Sequence, residues 1–204
     1  VYSLLWANIF IPSLGNVAPK GKSIFAFNGV DFDSPRGPLV LAGKFYDVTP
    51  VDAHLCPSLL CNFSCACCTY GASKIEIHTK CGKRRDELIM PLDKMKLVLR
   101  RLRNAGIEEV IFTGGGEPLV NEATPEAMAY AVSLGLRTGL FTNGALMTPK
   151  VALALLDAKP KFIRVSLNGV TPTVHRLFHG LRTPCVDKVL ANLLFLAKER
   201  QRRN

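Results

Sequence analysis

Glu109-Val-Ile-Phe-Thr113-Gly114-Gly115-Gly116-Glu117-Pro118 decides the fold, because a short run of strand composition ends abruptly in glycines and the pattern recurs downstream. β-Branched and aromatic side chains suit a pleated ribbon, and glycines end it. Thr124-Pro125 is then expected to cap a helix that Gly135 closes. Arg137 to Thr142 reads as the next strand, ending in Asn143-Gly144, with a helix starting at Thr148-Pro149. Phe162 to Leu167 follows, ending in Asn168-Gly169, and a last helix from about Val186 is expected to bury Val189, Leu190, Leu193 and Ala197. Val110 and Leu140 stand 30 positions apart, and Leu140 and Val165 stand 25 apart. That is the spacing of successive strand-helix units, which build a parallel sheet with right-handed crossovers.

Upstream, Leu92, Met95, Val98, Leu99 and Leu102 recur at intervals of three and four, with Gly106 placed to stop the helix. Val51 to Cys56 supplies the first strand, so four β-α units occupy residues 51–204 of an α/β chain. Residues 71–90 read as a basic insertion without clear periodicity. Residues 1–50 read as a β-rich extension: Lys22 to Asn28 and Leu39 to Tyr46 have strand composition, punctuated by Asn28-Gly29 and by Ser34 to Pro38.

The first strand runs directly into Cys61-Asn62-Phe63-Ser64-Cys65-Ala66-Cys67-Cys68. Three thiolates at the spacing of Cys61, Cys65 and Cys68 can hold an iron-sulfur cluster while leaving one iron open, where four cysteines would close it. Zinc sites usually add a second ligand pair, and here the distant Cys81 and Cys185 are isolated. Disulfide frameworks belong to shorter secreted domains with even cysteine counts, and this chain has 7 cysteines in 204 residues.

In a β-α barrel or part-barrel the loops after the strands all open on one face. The cysteine loop, Gly114 to Pro118, Thr142 to Gly144, and the Ser166-Leu167-Asn168-Gly169 stretch all fall there, so four segments distant in sequence converge. The glycines leave strand-end carbonyls open to a ligand's ammonium group, with Glu117 as the opposite charge, or they simply make a tight turn. Asn143 reads as a turn residue, and Ser166 and Asn168 as hydrogen-bonding groups for a ribose and a carboxylate or as strand caps.

Taken together, the Cys-x3-Cys-x2-Cys loop, Gly115-Gly116-Glu117 and Ser166-x-Asn168 resemble the radical S-adenosylmethionine (radical SAM) enzymes over roughly residues 51–183. The resemblance implies a partial TIM-like barrel and a 4Fe-4S cluster on Cys61, Cys65 and Cys68. It also implies that S-adenosylmethionine is bound by Gly115, Gly116, Glu117, Pro118, Asn143, Ser166, Asn168 and the backbone of Cys67. In such enzymes the reduced cluster cleaves the cofactor to methionine and a 5'-deoxyadenosyl radical, which abstracts hydrogen from a peptide or small molecule. The cofactor carries the hard chemistry and the protein aims it. The resemblance further implies a flavodoxin- or ferredoxin-like electron donor.

Several positions depart from the pattern. Cys67 stands where an aromatic residue is common, and Cys56 is read as a strand residue rather than a fourth ligand. Relatives often carry arginine where Leu177 and His179 stand, with Arg176 one position away, and His175 reads as a helix-capping or catalytic residue. Only four β-α units are present, which implies truncation after the fourth and an unpaired edge on the last strand.

Net charge is +10, from 26 Lys and Arg against 16 Asp and Glu, without an aromatic-interleaved basic stripe. RNA is therefore an alternative partner and not the favoured one, although Gly116 to Asn121 follows a pattern also seen in radical SAM RNA methylases. A non-catalytic iron-sulfur or zinc module is the other alternative. No run of eighteen apolar residues occurs, so no membrane span is expected. Ser3 to Ile11 is apolar but lacks a basic n-region and a cleavage site, so it is not read as a signal peptide. An oxygen-sensitive cluster and unpaired cysteines imply the cytoplasm. The chain begins with Val1, which reads as a processed or fragmentary start.

Overall fold

The computed structural model describes residues 7–12, 26–27, 30–31, 51–68 and 85–203. Its sheet contains β1 (Ala7–Pro12), β4 (Asp52–Leu55), β5 (Glu109–Phe112), β6 (Arg137–Thr142) and β7 (Phe162–Leu167), in the order β1-β7-β6-β5-β4. Strands β4 to β7 are parallel, with Leu55 opposite Phe112, Phe112 opposite Leu140, and Leu140 opposite Ile163. Helices α1 (Leu92–Asn104), α2 (Thr124–Ser133) and α3 (Pro149–Asp157) make the crossovers, and α4 (Pro172–Phe178) and α5 (Val186–Arg202) follow β7. The four parallel strands with intervening helices form the α/β arc of a partial barrel.

Alternation along the strands divides the sheet into two faces. Val110, Phe112, Leu140, Ile163, Val165 and Leu167 point to the helices and are buried with Met95, Leu99, Met128, Leu155 and Leu196. Alanines at 127, 131 and 152 bring α2 and α3 close to the strands. The other face carries Ile111, Phe141, Arg164 and Ser166, all half-buried. There the Phe162 ring lies over Gly139, whose absent side chain leaves room for it, and the Arg164 guanidinium sits 5.1 Å from the centre of Phe141. At the amino ends of the strands, Glu109 pairs with Arg137 at 3.2 Å and Lys161 at 2.8 Å, away from the loops that carry the cysteines.

Several expectations change. The edge of β7 is not bare: β1 pairs with it antiparallel, Ala7 opposite Leu167 and Pro12 opposite Phe162, so the ladder is continued by the apolar amino-terminal run. Thr124 does not cap α2: it is the first helical residue, the N-cap position is Ala123 with no side-chain cap, and the Thr124 hydroxyl donates to the Pro118 carbonyl at 2.7 Å. In α5 the buried residues are Val186, Val189, Asn192, Leu193 and Leu196, and Ala197 is exposed because the core stripe runs one position earlier. Helix α4 has no counterpart in the periodicity reading. Thr148 caps α3 as expected, and Gly106 and Gly135 take positive φ just beyond α1 and α2.

In the extension, β2 (Ala26–Phe27) and β3 (Val30–Asp31) pair on either side of Asn28-Gly29. The expected strand at Leu39 to Tyr46, residues 71–84 of the basic insertion and Cys81 lie outside the described residues. Among the described residues no helix is long and apolar enough to cross a membrane.

Candidate functional site

The cysteine loop leaves β4 at Cys56, whose thiol donates to the Ser58 carbonyl at 3.2 Å and whose side chain packs on Gly114. A side chain at Gly114 would collide with it. Ser58 is buried, and its segment is pinned to the entrance of α1 through Leu59 N to Leu88 O and Met90 N to Pro57 O, both 2.9 Å. Asn121 bolts this junction. Its amide donates to the carbonyls of Pro57 at 3.0 Å and Met90 at 2.8 Å, while its oxygen accepts from Ala123 N.

Gly116 serves a packing purpose. A Cβ there would run into the backbone oxygens of Leu60 and Ser58 and come within 2.7 Å of the Leu59 carbonyl carbon. This close approach allows Glu117 N to donate to Leu60 O at 2.8 Å, immediately before Cys61.

The Glu117 side chain then ties two strand ends together. One oxygen accepts from the Thr142 hydroxyl at 2.6 Å and Leu119 N at 3.1 Å, and the other from Asn143 N at 2.7 Å. Burial pushes its carboxyl above the ordinary range, against the lowering effect of those donors. Asn143 carries the connection onward: its amide donates to Asn62 Oδ1 at 2.8 Å and stands 4.0 Å from Cys61 Sγ. Cys61 Sγ also accepts from the Phe63 N–H at 3.4 Å.

On its far side the loop docks against α4. Ser64 N donates to His179 O and Ala66 N to Phe178 O, both at 3.0 Å, which satisfies carbonyls at the end of that helix. Gly180, at φ +59°, is required by conformation and by space, since a Cβ would strike the Ser64 backbone. Cys65 Sγ lies 3.0 Å from His179 Nδ1, and the His179 ring packs 4.8 Å from Phe63 and 4.4 Å from His175. Burial, with repulsion from His175 second, pushes His179 down to about 4, and burial lowers His175 as well. His175 lies inside α4, fully buried, and does not cap it; Thr171 does.

Cys61, Cys65 and Cys68 are half-buried on this anchored loop, and Cys67 is exposed. Ser166 and Asn168 flank the carboxyl end of β7, half-buried. Leu177 is 60% exposed and, being aliphatic, offers no charge to a ligand. Among the described residues no three His, Cys, Asp or Glu side chains gather tightly enough to hold a single metal ion. The donor set nevertheless suits a polynuclear cluster: three thiols lie within eight residues, two of the sulfurs near N–H groups or an imidazole nitrogen, on a loop fixed at both flanks. Asn121, Gly180 and the contact of α4 with the loop were not read from sequence as parts of this site. Asn121 stood out only as the end of the Gly116 to Asn121 pattern, and Gly180 only through the preference of glycine for positive φ.

The three-cysteine loop and the Gly-Gly-Glu turn thus meet at the carboxyl ends of the parallel strands of an α/β sheet. The family model of the radical SAM superfamily matches residues 55–203, and the chain belongs to that superfamily. It is 29% identical to Fe-coproporphyrin III synthase of Methanosarcina barkeri over 60% of this chain and 28% of the relative. It is 29% identical to AdoMet-dependent heme synthase of the same organism over 68% of this chain and 36% of the relative. A similar match, 29%, is to PqqA peptide cyclase of Rhodopseudomonas palustris over 52% of this chain and 26% of the relative. The matched part thus spans about a third or less of these relatives.

Proposed function

We propose that this chain holds a 4Fe-4S cluster on Cys61, Cys65 and Cys68 and binds S-adenosylmethionine at the adjoining strand ends, as part of an enzyme acting on a peptide or a small molecule. The observation that carries the reading is the anchoring of the cysteine loop by strand-end groups that are themselves the expected cofactor residues. Glu117 N bonds Leu60 O, Asn143 bonds Asn62, and both meet through the Glu117 carboxylate. Cluster and cofactor together would supply an electron and a 5'-deoxyadenosyl radical for hydrogen abstraction, chemistry that no side chain provides.

The residues have separable tasks. Backbone groups of Gly115, Gly116 and Pro118 would receive the cofactor's amino group at the mouth of β5. Glu117, its oxygens engaged, would fix Asn143 and the cysteine loop in register rather than reach outward. Ser166 and Asn168 would bind carboxylate and ribose from the end of β7, and the exposed Cys67 would offer its backbone to the adenine. Phe141 and Arg164 line the same concave face one step deeper and would shape the space for substrate. An external one-electron donor of flavodoxin or ferredoxin type and a reducing cytoplasm complete the reading.

The relatives named for heme synthesis and peptide cyclisation favour small-molecule or peptide substrates over RNA. The test is anaerobic reconstitution of this chain with iron and sulfide, reduction with dithionite in the presence of S-adenosylmethionine, and assay for 5'-deoxyadenosine. Formation of the nucleoside, abolished in Cys65→Ala, supports the reading. A fully loaded cluster that yields none counts against cofactor cleavage by this chain.

A further inference from the structure

Resting on that reading, we propose that His179 is a positioning residue for the cluster: its Nδ1–H donates to the Cys65 thiolate and makes the bound cluster easier to reduce. His179 Nδ1 and Cys65 Sγ are 3.0 Å apart across 114 positions of sequence. The imidazole is 1% exposed and is held from both sides, by Phe63 at 4.8 Å and His175 at 4.4 Å, with Phe178 edge-on at 5.4 Å.

The tautomer follows from what surrounds the other nitrogen. His179 Nε2 is buried and has no hydrogen-bond partner among the described residues. Placing the proton there would bury an unsatisfied N–H, whereas placing it on Nδ1 leaves a bare lone pair and directs the N–H at sulfur. The arrangement is rigid as well as close. Ser64 N and Ala66 N bond the carbonyls of His179 and Phe178, so the backbone on both sides of Cys65 is fixed to the segment that carries the imidazole.

An N–H donor to a cluster thiolate stabilises the more negative, reduced state more than the oxidised one, and so raises the potential. The step it biases is simple. One electron enters the cluster from an external low-potential donor, and no proton moves and no bond breaks.

The test uses the reconstituted full chain. In His179→Leu the ratio of reduced to oxidised cluster at a fixed poise is expected to fall about tenfold, which is about 59 mV for a one-electron couple. His179→Asn, whose side-chain amide can occupy the place of Nδ1–H, is expected to recover most of that shift. A ratio in His179→Leu equal to that of the unaltered chain overturns the proposal, as does a shift that His179→Asn leaves uncorrected. If His179→Leu fails to hold a cluster, pulsed EPR of the unaltered, 15N-histidine-labelled chain decides. Weak nitrogen coupling to the reduced cluster supports the hydrogen bond; strong coupling, meaning direct ligation, or none at all overturns it. Failure of the unaltered chain to assemble a cluster would instead remove the function proposed above, and this inference with it.

Discussion

Replacing Gly116 by alanine should damage the cysteine loop without touching a cysteine. The new Cβ would lie 2.7 Å from the Leu59 carbonyl carbon and nearer still to the oxygens of Leu60 and Ser58. Carbon atoms rest at about 3.5 to 4.0 Å, so the loop must retreat by roughly 1 Å. Overpacking of this kind costs about 1–3 kcal/mol. The retreat also stretches the 2.8 Å bond from Glu117 N to Leu60 O, whose loss adds about 1 kcal/mol. The sum, about 2–4 kcal/mol, is a large share of the stability of a typical domain. Urea unfolding of the apo chain reads the energy, and iron content after reconstitution reads the displacement of Cys61, the residue after Leu60. A loss below about 0.5 kcal/mol with unchanged iron content would refute the packing argument, since ordinary surface substitutions fall in that range.

Other consequences follow from the same junctions. Asn121→Ala removes the side-chain donor from the carbonyls of Met90 and Pro57, the latter keeping its bond from Met90 N, and should cost about 1–3 kcal/mol in urea unfolding. Gly180→Ala combines a left-handed φ with collision at Ser64, so it should lower stability by about 2–3 kcal/mol and reduce cluster retention. Glu117→Gln turns an amide N–H towards backbone and hydroxyl donors and should cost about 1–3 kcal/mol. Its pH signature is specific. The folded carboxyl is raised, so between the ordinary carboxylate range and that raised value the folded chain holds more protons than the unfolded one, and stability falls as pH rises through the interval. Chemical denaturation across that interval should show the slope in the unaltered chain and a flatter profile in Glu117→Gln.

The fold was legible wherever local chemistry and period coincide. The strands at 109–112, 137–142 and 162–167 and the helix from Val186 follow from alternation, turn glycines and the spacing of apolar residues. The fate of the β7 edge was not legible, because pairing with Ala7–Pro12 is decided across 150 to 160 positions and leaves no periodic trace. Helix α4 is only seven residues long, too short to show a repeat, yet its end supports the cysteine loop. At the site, the sequence located the converging loops but not the use of each residue. Gly116 and Glu117 were read either as groups facing a ligand or as parts of a tight turn. Gly116 owes its size to backbone packing against Leu60, and the Glu117 carboxylate is spent within the protein. The bond between His179 and Cys65 is a tertiary event, and a lone buried histidine gives no sequence signal for its partner.

The most direct measurement is iron and sulfide content after anaerobic reconstitution of the unaltered chain and of single alanine variants at Cys56, Cys61, Cys65, Cys67 and Cys68. The account predicts close to four iron and four sulfide per chain, lost in the variants at 61, 65 and 68 and retained in those at 56 and 67. Loss at Cys56 equal to that at Cys61, or no cluster in the unaltered chain, would contradict it.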